Sequence, residues 1–156
     1  MNINIISGTY EHLQACKYAY ANSRLGQVYR SPDDLLKSHL AEGINKGEIF
    51  VALDENDQCL GFIWIVQKGV FDQFPYCKVL AVKQQYRGQG IGTILLNYFE
   101  KIGFTNTTKI FILVSDFNQR AQQLYKRLGY INVGLIPNLF KEGVSEHILV
   151  KFKPQG

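Results

Sequence analysis

No uninterrupted apolar run in this chain approaches the roughly 20 residues that a bilayer-spanning helix requires, which argues against a helical membrane protein. The opening Met1-Asn2-Ile3-Asn4 lacks the basic stretch and apolar core of an export leader, so a cytoplasmic location is expected. Cysteine is sparse. Cys16, Cys59 and Cys77 are odd in number and irregularly spaced, with no C-x-x-C pair and no neighbouring histidine. That pattern speaks against a disulfide framework and a metal site, and reduced, partly buried thiols are expected. Charged residues are only 19% of the chain, and the net charge of +4 is dispersed, with no five-residue basic block and no basic-aromatic stripe. Nucleic acid is therefore not an expected partner, whereas a small polyanion suits a modest positive balance.

What the chain does have is an apolar fraction of 46% across 156 residues. A polypeptide of this size can bury roughly two thirds of its surface around one core. No repeat, low-complexity tract or linker divides it, and residues 1–156 are read as a single domain.

Periodicity places the elements. Ile3 and Ile5 alternate as in a strand, and Thr9 can cap a helix carrying Leu13, Cys16 and Tyr20 at helical spacing. The pattern lapses over residues 22–30. Ser31-Pro32-Asp33-Asp34 then offers a cap, a proline at the first helical position and first-turn carboxylates to a second helix with Leu36, Leu40 and Ile44 on its inner face. Residues 48–53 and 60–66 read as a hairpin around the turn chemistry of residues 54–57, and residues 76–82 as a further strand. Ile91, Ile94, Leu95, Tyr98, Phe99 and Ile102 share one helix face, closed by Gly103. A buried strand at residues 110–114, a helix ending at Gly129, and strands at 130–136 and 147–152 joined by a loop over 137–145 complete the order. This order gives an α/β fold with a mixed sheet and helices on both faces. Trp64 within an apolar run is read as core, and His12, His39 and His147 as isolated surface or core residues.

The informative stretch is Lys83-Gln84-Gln85-Tyr86-Arg87-Gly88-Gln89-Gly90-Ile91-Gly92-Thr93, where a buried strand passes through three glycines into a helix start. The first N–H groups of a helix have no internal acceptor, and glycine lets an anion approach them without a Cβ in the way. No lysine follows as in the P-loop, and the glycine register differs from the dinucleotide fingerprint. A glycine-rich turn by itself also allows a purely structural role.

The run instead resembles motif A of the GNAT-superfamily N-acetyltransferases, [QR]-x-x-G-x-[GA], met here by Arg87, Gly90 and Gly92. The family's later motif, an asparagine followed by A-x-x-[LF]-Y-x-x-x-G-[FY], is matched by Asn118 and by Ala121, Leu124, Tyr125, Gly129 and Tyr130. The resemblance covers residues 48–152 well and the first helices in outline. It implies a mostly antiparallel central sheet of about seven strands with a splayed parallel central pair. It further implies transfer of the acetyl group of acetyl-coenzyme A to a primary amine of a small molecule or peptide, by direct attack on the thioester, in a monomer or homodimer.

By the same resemblance, Arg87, Gly88, Gln89, Gly90, Ile91, Gly92 and Thr93 would hold the coenzyme pyrophosphate, and the main chain at Leu80 and Val82 would pair with the pantetheine arm and thioester carbonyl. Asn118 would contact the pantetheine or phosphate region, a helix cap being its other role, and Tyr125 would protonate the departing thiolate, a core position being its alternative. The chain departs from the family at the general base, since residues 76–82 and 110–114 contain no carboxylate. Asp72, Ser115 and Asp116 lie near strand ends and have turn or cap explanations as well. The missing carboxylate leaves open a catalytically silent acyl-coenzyme A sensor. Acceptor choice is expected to depend on residues 19–30 and 137–145, whose basic and aromatic groups disfavour a strongly cationic polyamine.

Overall fold

The computed structural model describes every residue, Met1–Gly156. Strand β1 spans Asn4–Ser7. Thr9, extended at φ −122°, then opens a short 3-10 turn at Tyr10–His12, and its N–H donates to His12 Nδ1 at 3.0 Å. Helix α1 (Leu13–Ala21) continues from that turn. Residues 22–30, which show no period, nevertheless hold α2 (Arg24–Tyr29). Six residues are too few to display a helical repeat, and the helix is fixed by its ends instead. The Ser23 hydroxyl accepts from Gly26 N–H at 3.0 Å, and Arg30 turns left-handed at φ 44°.

Helix α3 (Asp33–Asn45) starts one residue later than the pattern suggests, so Pro32 is the cap residue and Asp33 and Asp34 face the positive end of the helix dipole. The chain proceeds through β2 (Ile49–Leu53), β3 (Cys59–Val70), β4 (Phe74–Val82), a 3-10 turn at Gln84–Tyr86, α4 (Ile91–Gly103), β5 (Lys109–Ser115), α5 (Gln119–Arg127), β6 (Ile131–Lys141) and β7 (Val144–Phe152).

The seven strands follow the order β1-β2-β3-β4-β5-β7-β6. β4 and β5 run parallel, while β1–β2, β2–β3, β5–β7 and β6–β7 are antiparallel. The parallel ladder registers only Tyr76 with Phe111 and Cys77 with Ile112. This is the mixed sheet that the element order requires.

Residues gather in two compact units, residues 1–65 with 79–99, and residues 66–78 with 100–156. In the first, Gly43 of α3 lies against Trp64 and Ile49, and a Cβ there would come within 2.6 Å of the indole. On the other face of β2, Phe50 packs against Tyr98 of α4 with ring centroids 5.0 Å apart. Helices thus cover both faces. Trp64 is core, 6% exposed, and its indole N–H donates to Glu48 Oε1 at 3.1 Å. The three thiols are free and more deeply enclosed than expected. In the second unit, Ile110 and Lys151 lie on one sheet face, where Ile110 meets Gly103 and Lys151 donates to Glu100 Oε1 at 2.7 Å.

Two connections differ from the sequence pattern. β3 runs four residues beyond Val66, to Val70, and a tight turn with Gln73 N–H donating to Val70 O at 3.1 Å returns the chain into β4. The loop expected over residues 137–145 is mostly strand, since β6 extends to Lys141 and β7 begins at Val144. Pro137 is tolerated because β6 is an edge strand, where a missing N–H breaks no ladder bond. Asn138 is left-handed at φ 55°, and its side chain accepts from Gly143 N–H at 2.7 Å, making an irregular hairpin of what reads as loop chemistry.

Candidate functional site

The glycine turn belongs to the first unit. β3 closes on the end of β4 through Gly61, where a Cβ would stand 2.6 Å from Ala81 O. Leu80 and Val82, the expected main-chain contacts, are half-buried, while Ala81 between them is enclosed. After β4 the chain bends through Gly88 and Gly90, at φ 76° and 84°. The first intrahelical bond of α4 runs from Ile94 N–H to Gly90 O at 3.1 Å. The N–H groups of Ile91, Gly92 and Thr93 precede it and have no helical acceptor. A Cβ built at Gly90 meets nothing within 4 Å, so the turn is open on that side of Gly90.

Arg87 serves the turn in a way the motif does not reveal. Its Nε donates to Val82 O at 3.1 Å and a terminal nitrogen to Asn22 O at 2.9 Å, tying the turn to the strand end and to the residue after α1. Gln89 reaches back to Gln85 O at 3.5 Å. Arg87, Gly88, Gln89 and Gly90 are exposed, Gly92 and Thr93 half-buried, and Ile91 anchors the helix start in the core at 2% exposure.

Asn118 and Tyr125 belong to the second unit. Asn118 caps α5, its Oδ1 accepting from Ala121 N–H at 3.3 Å. Tyr125 is buried, with its ring set edge-on to Tyr130 at 5.9 Å between centroids. Burial raises the Tyr125 phenol well above its ordinary value, and Cys77 and Tyr76 add to the effect. The Cys77 thiol is pushed up to about 12 by burial. Tyr130 donates to Glu100 Oε2 at 3.2 Å, and its phenol is also raised, first by burial and then by that carboxylate. Glu100 is therefore engaged by both Tyr130 and Lys151.

Of the three polar residues noted near strand ends, Asp72 sits in the β3–β4 turn at φ 58°. Asp116 clasps Ser145, its Oδ2 accepting from Ser145 N–H at 3.2 Å and its own N–H donating to Ser145 O at 2.9 Å. Ser115 leads to a residue that sequence reasoning missed. Its hydroxyl donates to Glu146 Oε2 at 2.7 Å, and the two are 1% and 3% exposed. β4 and β5 carry no carboxylate, and Glu146 is a buried one on β7, opposite the end of β5. The only signal was a glutamate beside an apolar run, and the pattern placed it outside the strand.

Register assigns these groups to sheet faces. Phe111 faces Val150, Leu113 faces Ile148 and Ser115 faces Glu146, so all six side chains share one face with Tyr76, the partner of Phe111. Ile110, Ile112 and Val114 point the other way, where Ile110 meets Gly103 of α4.

A model described as the Acetyltransferase (GNAT) family matches residues 8–130. Among curated proteins, an uncharacterized N-acetyltransferase of Methanocaldococcus jannaschii is 38% identical over 77 residues, covering 48% of this chain and 49% of that protein. An uncharacterized protein of Mycobacterium leprae is 28% identical over 112 residues, 71% of this chain and 31% of that protein. The chain thus matches about half the length of the first relative and about a third of the second. Among solved structures, a GNAT-family acetyltransferase from Bacillus cereus superposes with a TM-score of 0.79 over 99% of this chain and 100% of that one, at 21% identity. That last likeness is one of fold.

Proposed function

Because the chain belongs to the GNAT acetyltransferase family, we propose that it moves the acetyl group of acetyl-coenzyme A onto a primary amine of a small molecule or peptide by direct attack on the thioester. One observation carries the reading most: the N–H groups of Ile91, Gly92 and Thr93 precede the first helical bond of α4, directly after the exposed glycine turn, a setting that suits two linked phosphates. Gly88, Gln89 and Gly90 supply the bend, and Arg87 holds it by its two carbonyl contacts. In this reading the main chain at Leu80 and Val82 pairs with the pantetheine arm and polarises the thioester carbonyl.

The donor supplies an activated acetyl group, so the chain must free an amine lone pair, stabilise the oxyanion and satisfy the leaving sulfur. Tyr125 takes the last role. A phenol held neutral by burial presents its O–H as a donor at every working pH. Its raised pKa makes hydrogen-bond stabilisation of the thiolate its main service, with the proton following as the thiol forms. Asn118 sets the start of the helix that carries Tyr125.

Titration calorimetry with acetyl-coenzyme A, followed by thiol release over a panel of amines, tests the reading. Heat with turnover of an amine supports it. Heat without turnover of any amine would make the protein a sensor, and no heat would end the assignment.

A further inference from the structure

Within the second unit a cavity of about 310 Å³ has Phe71, Tyr76, Phe111, Leu113, Phe140 and Ile148 among its lining. That volume is at the lower end of the range for small-molecule sites, about 300–1,000 Å³. Its lining is apolar and aromatic, and the Tyr76 hydroxyl is its sole polar side-chain group. Phe71 and Phe140, 82% and 62% exposed, stand at its mouth from two different hairpins.

The cavity opens on the sheet face that carries the Glu146–Ser115 pair. Leu113 and Ile148 are cavity walls, and two residues further along their strands come Ser115 and Glu146. One step of two residues is about 7 Å along a strand. Tyr76, another wall residue, has its phenol raised by burial first, with the Glu146 charge among the further causes. The cavity is thus an apolar chamber with a buried carboxylate two residues further along the strands that wall it.

We infer that this cavity is the acceptor pocket, that it takes a primary monoamine on a compact ring-bearing or branched apolar body, and that Glu146 receives the ammonium proton. The inference rests on the acetyl-transfer reading and narrows its substrate class. A polyamine is disfavoured because the lining offers its second ammonium no carboxylate partner. An aromatic or branched body gains from the same walls. The step balances: R–NH3+ gives one proton to Glu146, the freed lone pair forms the C–N bond to the thioester carbon, the C–S bond breaks, and the second amine proton leaves on the coenzyme thiol.

The test uses the full chain with phenethylamine and spermidine as acceptors, and acetyl-coenzyme A calorimetry as an independent control. The expected result is a kcat/KM at least about tenfold higher for phenethylamine, a difference worth about 1.4 kcal/mol. Phe140→Ala should raise the KM for phenethylamine several-fold and leave the heat of acetyl-coenzyme A unchanged. Glu146→Gln should lower kcat about a hundredfold near neutrality, with the deficit narrowing toward pH about 10, where the amine arrives already neutral. A purely structural role for Glu146 predicts no such narrowing. Equal or better use of spermidine, an unaltered KM in Phe140→Ala, or a deficit that stays constant with pH would overturn the inference while acetyl-coenzyme A still binds. Loss of acetyl-coenzyme A binding in the native chain would instead overturn the parent reading, and the inference with it.

Discussion

Ser115 and Glu146 face each other across the β5–β7 ladder and share a hydrogen bond of 2.7 Å, with both side chains almost wholly enclosed. A buried carboxylate is tolerable only where donors satisfy it. Ser115→Ala removes one such donor and should destabilise the protein by about 1.5–3 kcal/mol, read as a lower midpoint in urea unfolding. The double variant Ser115→Ala, Glu146→Leu should lose less than the sum of the two single losses, because no charge is then left short of a partner. Strict additivity would mean that the bond contributes nothing.

Gly90→Ala separates backbone strain from ligand capture. With φ at 84° and nothing within 4 Å of the added Cβ, the variant meets no clash in the protein and should lose only about 1–2 kcal/mol of stability. Its methyl group would, however, occupy the space proposed for the pyrophosphate. The dissociation constant for acetyl-coenzyme A should rise at least about tenfold by calorimetry, a change of about 1.4 kcal/mol. Unchanged affinity would place the phosphates elsewhere.

Tyr125→Phe should cut kcat about a hundredfold while leaving acetyl-coenzyme A affinity within a few-fold of the native value. The phenol's pKa is raised, so it keeps its proton below pH about 10, the ordinary tyrosine value. The native enzyme should therefore show no alkaline loss of kcat assignable to Tyr125 between neutrality and that pH. A steady-state pH profile with both proteins checks this.

Cys77 makes stability depend on alkaline pH. Its thiol is raised from 9.0 to about 12 by burial, so the unfolded chain releases a proton before the folded one does. Stability should be flat below pH about 9 and should fall above it by about 1.4 kcal/mol per pH unit for this group, until the folded thiol itself ionises. Tyr76, Tyr125 and Tyr130 are raised in the same direction and should steepen the fall at still higher pH. Cys77→Ala should make the fall above pH about 9 shallower in urea titrations at stepped pH, the buried Cys16 thiol, raised from the same 9.0, supplying what remains. A slope unchanged by the substitution would assign the fall to other groups.

In the candidate site, the features that rest on local backbone chemistry were legible from residue order. Glycines at positive φ before a helix, an asparagine that caps the next helix, and a tyrosine on that helix's inner face all leave local marks, and Gly90, Asn118 and Tyr125 stand where those marks put them. What depends on pairing between distant segments was not legible. Glu146 acquires its meaning from Ser115, thirty-one residues away in sequence and opposite it in the ladder. Pro137 and Asn138 carry loop chemistry, yet an edge strand accommodates both. Helix α2 was missed for a different reason, since its caps rather than its face define it. Arg87 shows the limit of a motif: the residue type was anticipated, but its grip on Val82 and Asn22 comes only from tertiary structure.

The turn between β3 and β4 holds Phe71 and Asp72 at φ 54° and 58°, where asparagine and glycine sit far more comfortably. Left-handed backbone at such residues costs on the order of 1–2 kcal/mol each. Swapping the pair for Asn-Gly should therefore yield a hardier protein, with a higher melting temperature and a weaker hold on the acceptor proposed for the cavity that Phe71 lines. Any effort to toughen this molecule by consensus turns would meet that compromise first, at a single aromatic ring held out into solvent.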